Sequence, residues 1–155
     1  MGNKGGLKKR PKLLYFIIII ILLISISAIL SGFQLIKDPS GKLLEFPQNF
    51  LENTFFHSYL IPGIILFLVI GILPLFLIYG IFRKNSLGFL EYFNFYKDKK
   101  WQFSFLIYYG FALIIWINVQ TIFIPFFFLQ PVISLIGVLI IFLSLFENIR
   151  NYYNK

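Results

Sequence analysis

The sequence predicts an all-α membrane protein, a four-helix transmembrane bundle with a small extracytoplasmic β-hairpin and a short helix between helices 1 and 2. Of the 155 residues, 59% are hydrophobic and 13% are charged, whereas a soluble domain has roughly 45–50% apolar and 25% charged residues. The apolar residues fall in blocks of about twenty, the length with which a helix crosses a hydrocarbon core. Basic residues lie at the ends of these blocks. Together these features predict an integral membrane protein.

We interpret the chain as a single membrane domain whose segments follow the apolar blocks. The first block could also be a cleavable signal peptide, because a basic start precedes it and small residues follow its apolar core. Its apolar character continues beyond those small residues, which favours a retained span. The predicted segments are a basic tail (1–12), span 1 (13–33), an outer cap (34–58), span 2 (59–83), a connection (84–101), span 3 (102–124), an outer turn (125–130), span 4 (131–147) and a terminal tail (148–155).

The placement of charge predicts the orientation of these spans. The net charge is +8, and the basic residues concentrate before span 1, around residues 84–101 and at the C-terminus, while acidic residues outnumber basic ones in residues 34–58. Because cytoplasmic loops carry an excess of Lys and Arg, both termini are predicted to be cytoplasmic in a multi-pass protein of the cell membrane. We attribute the basic residues to orientation and to attraction by anionic lipid headgroups. Nucleic acid is not an expected partner.

The outer cap contains a turn motif, Asp38-Pro39-Ser40-Gly41. Asp at the first position bonds to the backbone ahead, Pro presets φ at the second, and Gly suits the fourth position of a type I turn. Apolar residues on both sides predict a β-hairpin. After Pro47, spaced apolar residues predict a short helix lying on the bundle or the bilayer.

Few polar residues interrupt the predicted spans. Pro74 removes a backbone hydrogen bond from span 2 and predicts a kink. The other polar or amphipathic residues can either fix helix packing through interhelical hydrogen bonds or line a polar cavity. These candidates are Trp116, Asn118, Gln120, Gln130 and Ser134.

Candidate chemistry is sparse. His57 could act as a general base or a metal ligand in an outer site with Glu52, although a single interfacial His is more often a solvated or hydrogen-bonded residue. The chain has no cysteine, which excludes disulfides, thiolate nucleophiles and Cys-based metal sites. We assign no catalytic residue, no metal site and no cofactor from the sequence.

Several motifs resemble those of a widespread group of small four-span bacterial membrane proteins. The motifs are Gly32-Phe33 with Leu35-Ile36 before the Asp38 to Gly41 turn, Tyr59 to Gly63 at the start of span 2, Trp116 with Gln120, and Leu129 to Pro131. The resemblance covers most of residues 32–131 and implies a four-span membrane fold, but no activity. A likeness to DoxX-like proteins rests on size and span number alone.

The expected function is a non-catalytic accessory, structural or lipid-interacting role in the bacterial cytoplasmic membrane. Membrane lipids are the expected partners, with a homo-oligomer or a larger membrane complex as further assemblies. One alternative is a small-molecule transporter or channel-like subunit, in which Pro74 and the polar faces of spans 3 and 4 line a cavity. Another is an outer-leaflet enzyme that acts on a lipid or quinone through His57.

Overall fold

A computed structural model describes residues 9–52, 54–83, 88–123 and 127–155, and this part of the chain is helical with no strand. The helices are α1 (Lys12–Lys37), α2 (Leu60–Arg83), α3 (Gly88–Tyr92), α4 (Trp101–Phe123), α5 (Leu129–Ser144) and α6 (Glu147–Tyr152), with 3-10 turns at Lys42–Leu44 and Gln48–Leu51.

Three of these helices, α1, α2 and α4, are long and apolar enough to cross a membrane. The fold therefore fits an all-helical membrane protein. The fourth apolar helix, α5, has 16 residues, which at 1.5 Å of rise per residue is about 24 Å, less than the about 30 Å of a hydrocarbon core. A fourth span is thus not confirmed by helix length.

The last apolar block is divided rather than continuous. The predicted span over residues 131–147 is interrupted after Ser144, whose hydroxyl donates a hydrogen bond to the carbonyl of Ile140 at 2.7 Å. Phe146 then adopts an extended conformation with ψ of 142°, and α6 begins at Glu147. An extended residue cannot continue a helix, so the backbone changes direction at this point.

Two helix pairs form the bundle. Helix α1 packs along α2, and α4 packs along α5. Glycines allow close approach within each pair: a Cβ on Gly32 would lie 2.7 Å from the backbone nitrogen of Phe67, and one on Gly137 would lie 2.7 Å from the carbonyl oxygen of Gly110. The pairs meet where α1 contacts α5 and α2 contacts α4. Small residues are the usual means of close helix packing in membranes.

The predicted β-hairpin around Asp38 is not confirmed. Helix α1 continues through Lys37, so the residues that would form the first strand already pair their backbone groups within a helix. Leu35 is 3% exposed, and its Cβ lies against Gly63 of α2. Burial of this side chain favours continuation of the helix. On the far side of the turn, Lys42–Leu44 form a 3-10 turn in place of the second strand. The predicted short helix after Pro47 is a 3-10 turn at Gln48–Leu51.

The bundle has two chemically different ends. We call the end that holds residues 38–59 the cap end. At the opposite end, the start of α1, the end of α2, the start of α4 and helix α6 lie together. Arg10 donates a hydrogen bond to the Phe82 carbonyl, the Gln102 amide donates one to the Gly80 carbonyl, and the Lys100 amide donates one to the Tyr153 carbonyl. We call this the basic end.

Candidate functional site

The turn at the cap end is built around the carboxylate of Asp38. One oxygen accepts hydrogen bonds from the Ser40 amide at 3.1 Å and the Ser40 hydroxyl at 2.6 Å, and the other accepts one from the Leu43 amide at 3.2 Å. The Ser40 hydroxyl and then the backbone amides hold the pKa of Asp38 below its usual range. Gly41 has φ of +78°, a conformation that favours glycine. The carboxylate therefore has a structural role in shaping the turn.

Tyr59 connects this turn to the start of α2. Its amide donates to the Pro39 carbonyl at 2.9 Å, and its hydroxyl donates to the Pro47 carbonyl at 2.8 Å. Its ring packs on Phe46 with centroids 5.4 Å apart, and burial raises the pKa of its hydroxyl. A Cβ on Gly41 would lie 2.7 Å from this ring. The two motifs that are about twenty residues apart in the sequence thus form one packed unit.

A cleft of about 730 Å³ opens beside this unit, and it contains the predicted outer-site residues Glu52 and His57. The Thr54 hydroxyl in the cleft is occupied by hydrogen bonds to the Leu51 and Phe56 backbone. Glu52 and His57 are both exposed. Among the described residues, no group of three or more His, Cys, Asp or Glu is placed to hold a metal ion. The lining residues are Pro39, Ser40, Leu51, Glu52, Thr54, Phe56, His57 and Ser58.

A π-helical turn lies in span 2 directly before Pro74, where the sequence predicts a kink. Residues Leu66–Ile72 are π-helical and are followed directly by an α-helical segment that contains Pro74. Because Pro74 has no N–H, the Ile70 carbonyl loses its normal helical donor. The Tyr109 hydroxyl of α4 donates to this carbonyl at 3.4 Å. The freed carbonyl is therefore paired across the bundle, and the contact joins α2 to α4.

Two of the polar residues predicted for spans 3 and 4, Asn118 and Gln130, make local contacts. The Asn118 amide donates to the Ile114 carbonyl of its own helix at 2.7 Å, and its side chain is exposed. Gln130 is buried, and its oxygen accepts a hydrogen bond from the Phe127 amide at 3.1 Å. Half-buried positions are occupied by Trp116, Gln120 and Ser134. Asn118 and Gln130 thus satisfy polar groups within their own segments.

A polar network at the basic end is the feature that sequence reasoning missed. The Glu91 carboxylate accepts hydrogen bonds from the Lys155 ammonium at 2.8 Å, the Asn94 amide at 2.9 Å and the Trp101 backbone amide at 3.2 Å. Burial alone would raise the pKa of Glu91, but these three donors outweigh it and lower the pKa. The hydrogen bond from the Trp101 amide satisfies an N–H in the first turn of α4. The only sequence signal is that Glu91 is one of two acidic residues in a basic segment.

Arg10 forms a second connection at the basic end. Its guanidinium donates to the Phe82 carbonyl at 2.7 Å and lies 4.8 Å from the centre of the Phe82 ring. The hydroxyl of Tyr15, and to a smaller extent that of Tyr152, raises the pKa of Arg10. A cation at the end of α2 also interacts favourably with the helix dipole. Arg10 therefore links the start of α1 to the end of α2.

No protein-family model, curated protein or solved structure matches this chain. The fold fits one class of protein, an all-helical membrane protein, because three helices in the described part of the chain are long and apolar enough to span a bilayer.

Proposed function

We propose that this chain is a non-catalytic accessory or structural protein of the bacterial cytoplasmic membrane, with four crossings and the basic end in the cytoplasm. The positive-inside rule supports the orientation. The resemblance of its motifs to the four-span bacterial group supports the setting.

The observation that carries this proposal is the packed apolar centre of the bundle. Five of the described helices contribute side chains that are at most 1% exposed, among them Leu14, Ile81, Leu113, Ile140 and Ile149. Several polar groups beside this core bond to backbone carbonyls, as the Ser144 hydroxyl does with Ile140 and the Gln102 amide does with Gly80. Such an interior favours a structural role, because a transport pathway requires polar groups that face a water-filled cavity.

The experiment that tests this proposal is native mass spectrometry of the protein purified in a gentle detergent. Recovery with another membrane protein or with defined lipids supports an accessory role. Reconstituted vesicles then test transport. A substrate flux that is lost in Gln120→Leu, but is retained in the exposed-site control Asn151→Leu, would overturn the proposal in favour of the transporter.

The proposed fourth crossing is supported by the course of the chain. Helix α5 begins near the end of α4 that is distant from the basic end, and it packs along α4. The chain after α5 returns to the basic end, where the Tyr153 carbonyl accepts a hydrogen bond from the Lys100 amide. Single cysteines at Lys42 and Arg150 test this topology with a membrane-impermeant thiol reagent. Labelling from the outside at position 42 alone is expected. Labelling at both positions would contradict an even number of crossings.

A second candidate function is a ligand or enzyme site in the cap cleft, favoured because Glu52 and His57 line the same cleft. A carboxylate and an imidazole could bind a cationic or hydrogen-bonding headgroup or serve in acid–base chemistry. The test is turnover or binding of outer-leaflet lipids and quinones. Loss in His57→Ala, but not in the exposed cap control Glu45→Ala, would support this function.

A further inference from the structure

Four aromatic side chains project from the basic end on α3 and the residues that follow it. We name Phe89, Tyr92, Phe93 and Phe95 the aromatic knob. Their exposed fractions are 75%, 81%, 52% and 77%, respectively. The Phe93 ring packs edge-on against Phe89 and Tyr92, with centroids 5.4 and 5.3 Å apart. These three rings form a contiguous exposed apolar patch, and Phe95 is exposed two residues further along the chain. Such a patch marks contact with a membrane or another protein.

The bundle holds the aromatic knob facing outward. On the other side of α3, Glu91 bonds to the first turn of α4 and to Lys155. The Phe93 carbonyl accepts a hydrogen bond from the Tyr108 hydroxyl at 2.9 Å. These contacts fix the α3 backbone to α4, so the exposure of the rings is built into the fold.

The surroundings of the knob are strongly basic. Of the three acidic residues at this end, Glu91 pairs with Lys155 and Asp98 pairs with Lys99. Apart from Lys99 and Lys155, the basic side chains at this end far outnumber Glu147, the acidic side chain outside these two pairs. The described basic residues at this end are Lys9, Arg10, Lys12, Arg83, Lys97, Lys99, Lys100, Arg150 and Lys155.

We propose that the aromatic knob inserts into the headgroup layer of the leaflet at the basic end, and that the surrounding Lys and Arg side chains bind anionic lipid headgroups. Aromatic side chains partition to the membrane interface, and clustered cations attract anionic lipids. This charge complementarity favours lipid over a protein partner as the occupant. The inference rests on the proposed membrane placement and adds a defined surface and a lipid class.

The absence of native cysteine allows this inference to be tested with single nitroxide labels. A label at Phe89→Cys is compared with one at Glu147→Cys, an exposed position at the same end, in vesicles of phosphatidylcholine with or without an equal amount of phosphatidylglycerol. We measure collision with oxygen, which enriches in lipid, relative to collision with a water-soluble nickel complex. The oxygen-to-nickel ratio is expected to be severalfold higher at position 89 than at position 147, and higher again with phosphatidylglycerol.

Further variants separate the roles of rings and charges. Changing both Tyr92 and Phe95 to Ser is expected to lower the ratio at position 89 severalfold, and an unchanged ratio would overturn the insertion. Changing Lys97 and Lys100 to Gln is expected to reduce the effect of phosphatidylglycerol. An undiminished effect would overturn the assignment of anionic lipid to these cations.

A label at Ile115→Cys distinguishes failure of this inference from failure of the membrane placement. Ile115 is 60% exposed on the long apolar helix α4. A high ratio at position 115 with a low ratio at position 89 would overturn insertion of the knob and make a protein the occupant. Low ratios at both positions would overturn the membrane placement itself.

Discussion

Removal of the Glu91 carboxylate is expected to destabilise the basic end more than any other single acidic substitution. Glu91 receives three hydrogen bonds, from Lys155, Asn94 and the first turn of α4. Loss of the cap on the Trp101 amide costs about 1 kcal/mol. The Asn94 side-chain amide, left without this acceptor, costs about 1 kcal/mol, and the partly exposed ion pair with Lys155 contributes at most about 1 kcal/mol. The free energy of unfolding should therefore fall by about 2–3 kcal/mol in Glu91→Ala, within the range of substitutions that break a named interaction.

The assay is equilibrium unfolding in mixed detergent micelles, followed by circular dichroism. Glu147→Ala is the matched control, because Glu147 also lies in the first turn of a helix but is exposed. Its carboxylate accepts a hydrogen bond from the Asn151 side chain at 3.3 Å. Its cost should remain below about 0.5 kcal/mol. Equal losses in the two variants would refute the network as a source of stability.

The pH dependence provides an independent test of the same network. The pKa of Glu91 is lowered in the folded protein from its ordinary value of 4.5, so the unfolded chain binds more protons at this group. Its contribution is fully present above the unfolded pKa and is lost as pH falls through the folded pKa. The stability difference between the native protein and Glu91→Gln should shrink over that interval. A difference that does not change with pH would show that packing, rather than charge, is responsible.

Three further substitutions test the helix contacts and the cap. Gly137→Ala should separate α4 from α5 and lower the free energy of unfolding by about 1–3 kcal/mol. Gly88→Ala, with nothing within 4 Å of the added Cβ, should leave the free energy of unfolding unchanged, and equal unfolding curves for the two variants would contradict the close contact. Tyr109→Phe should lower the free energy of unfolding by roughly 0.6 kcal/mol in the native protein. The loss should be smaller in Pro74→Ala, which restores a backbone N–H donor to the Ile70 carbonyl, and a double-mutant cycle without coupling would contradict this shared acceptor. Gly41→Ala places a side chain at φ of +78° against a tyrosine ring and should speed proteolysis of residues 38–59, while cleavage at the native rate would show that the turn tolerates the strain.

Composition was sufficient to predict the long helices and their class. A helix in lipid must satisfy its own backbone groups and present apolar side chains, and both demands appear directly in the local sequence. The observed starts and ends of α1, α2 and α4 therefore lie close to the edges of the apolar blocks. The turn at Asp38 was also predictable, because the hydrogen bonds that the Asp38 carboxylate accepts come from the nearby residues Ser40 and Leu43.

The hairpin prediction was not confirmed because it treated the flanking residues as independent of the bundle. Leu35 is compatible with a strand or with a helix when taken alone. Its contact with Gly63 makes the helical choice favourable, and that contact depends on how α1 packs along α2.

The predicted cap residues Glu52 and His57, by contrast, are near each other in the sequence. Their common location in the cleft therefore required little tertiary information.

By itself, the sequence determined that this protein is helical, apolar enough for a membrane, and basic at one end, because these properties depend on residue type and local spacing. Only the tertiary structure decided which distant groups pair. Pro74 predicts that a carbonyl in its own helix loses its donor. The structure shows that this carbonyl, of Ile70, is paired with the hydroxyl of Tyr109, 39 residues away. Glu91 acquires its role from Lys155, 64 residues away. Such partners are selected by packing of whole helices, and hydrogen-bond geometry over those separations is set only when the helices have come together.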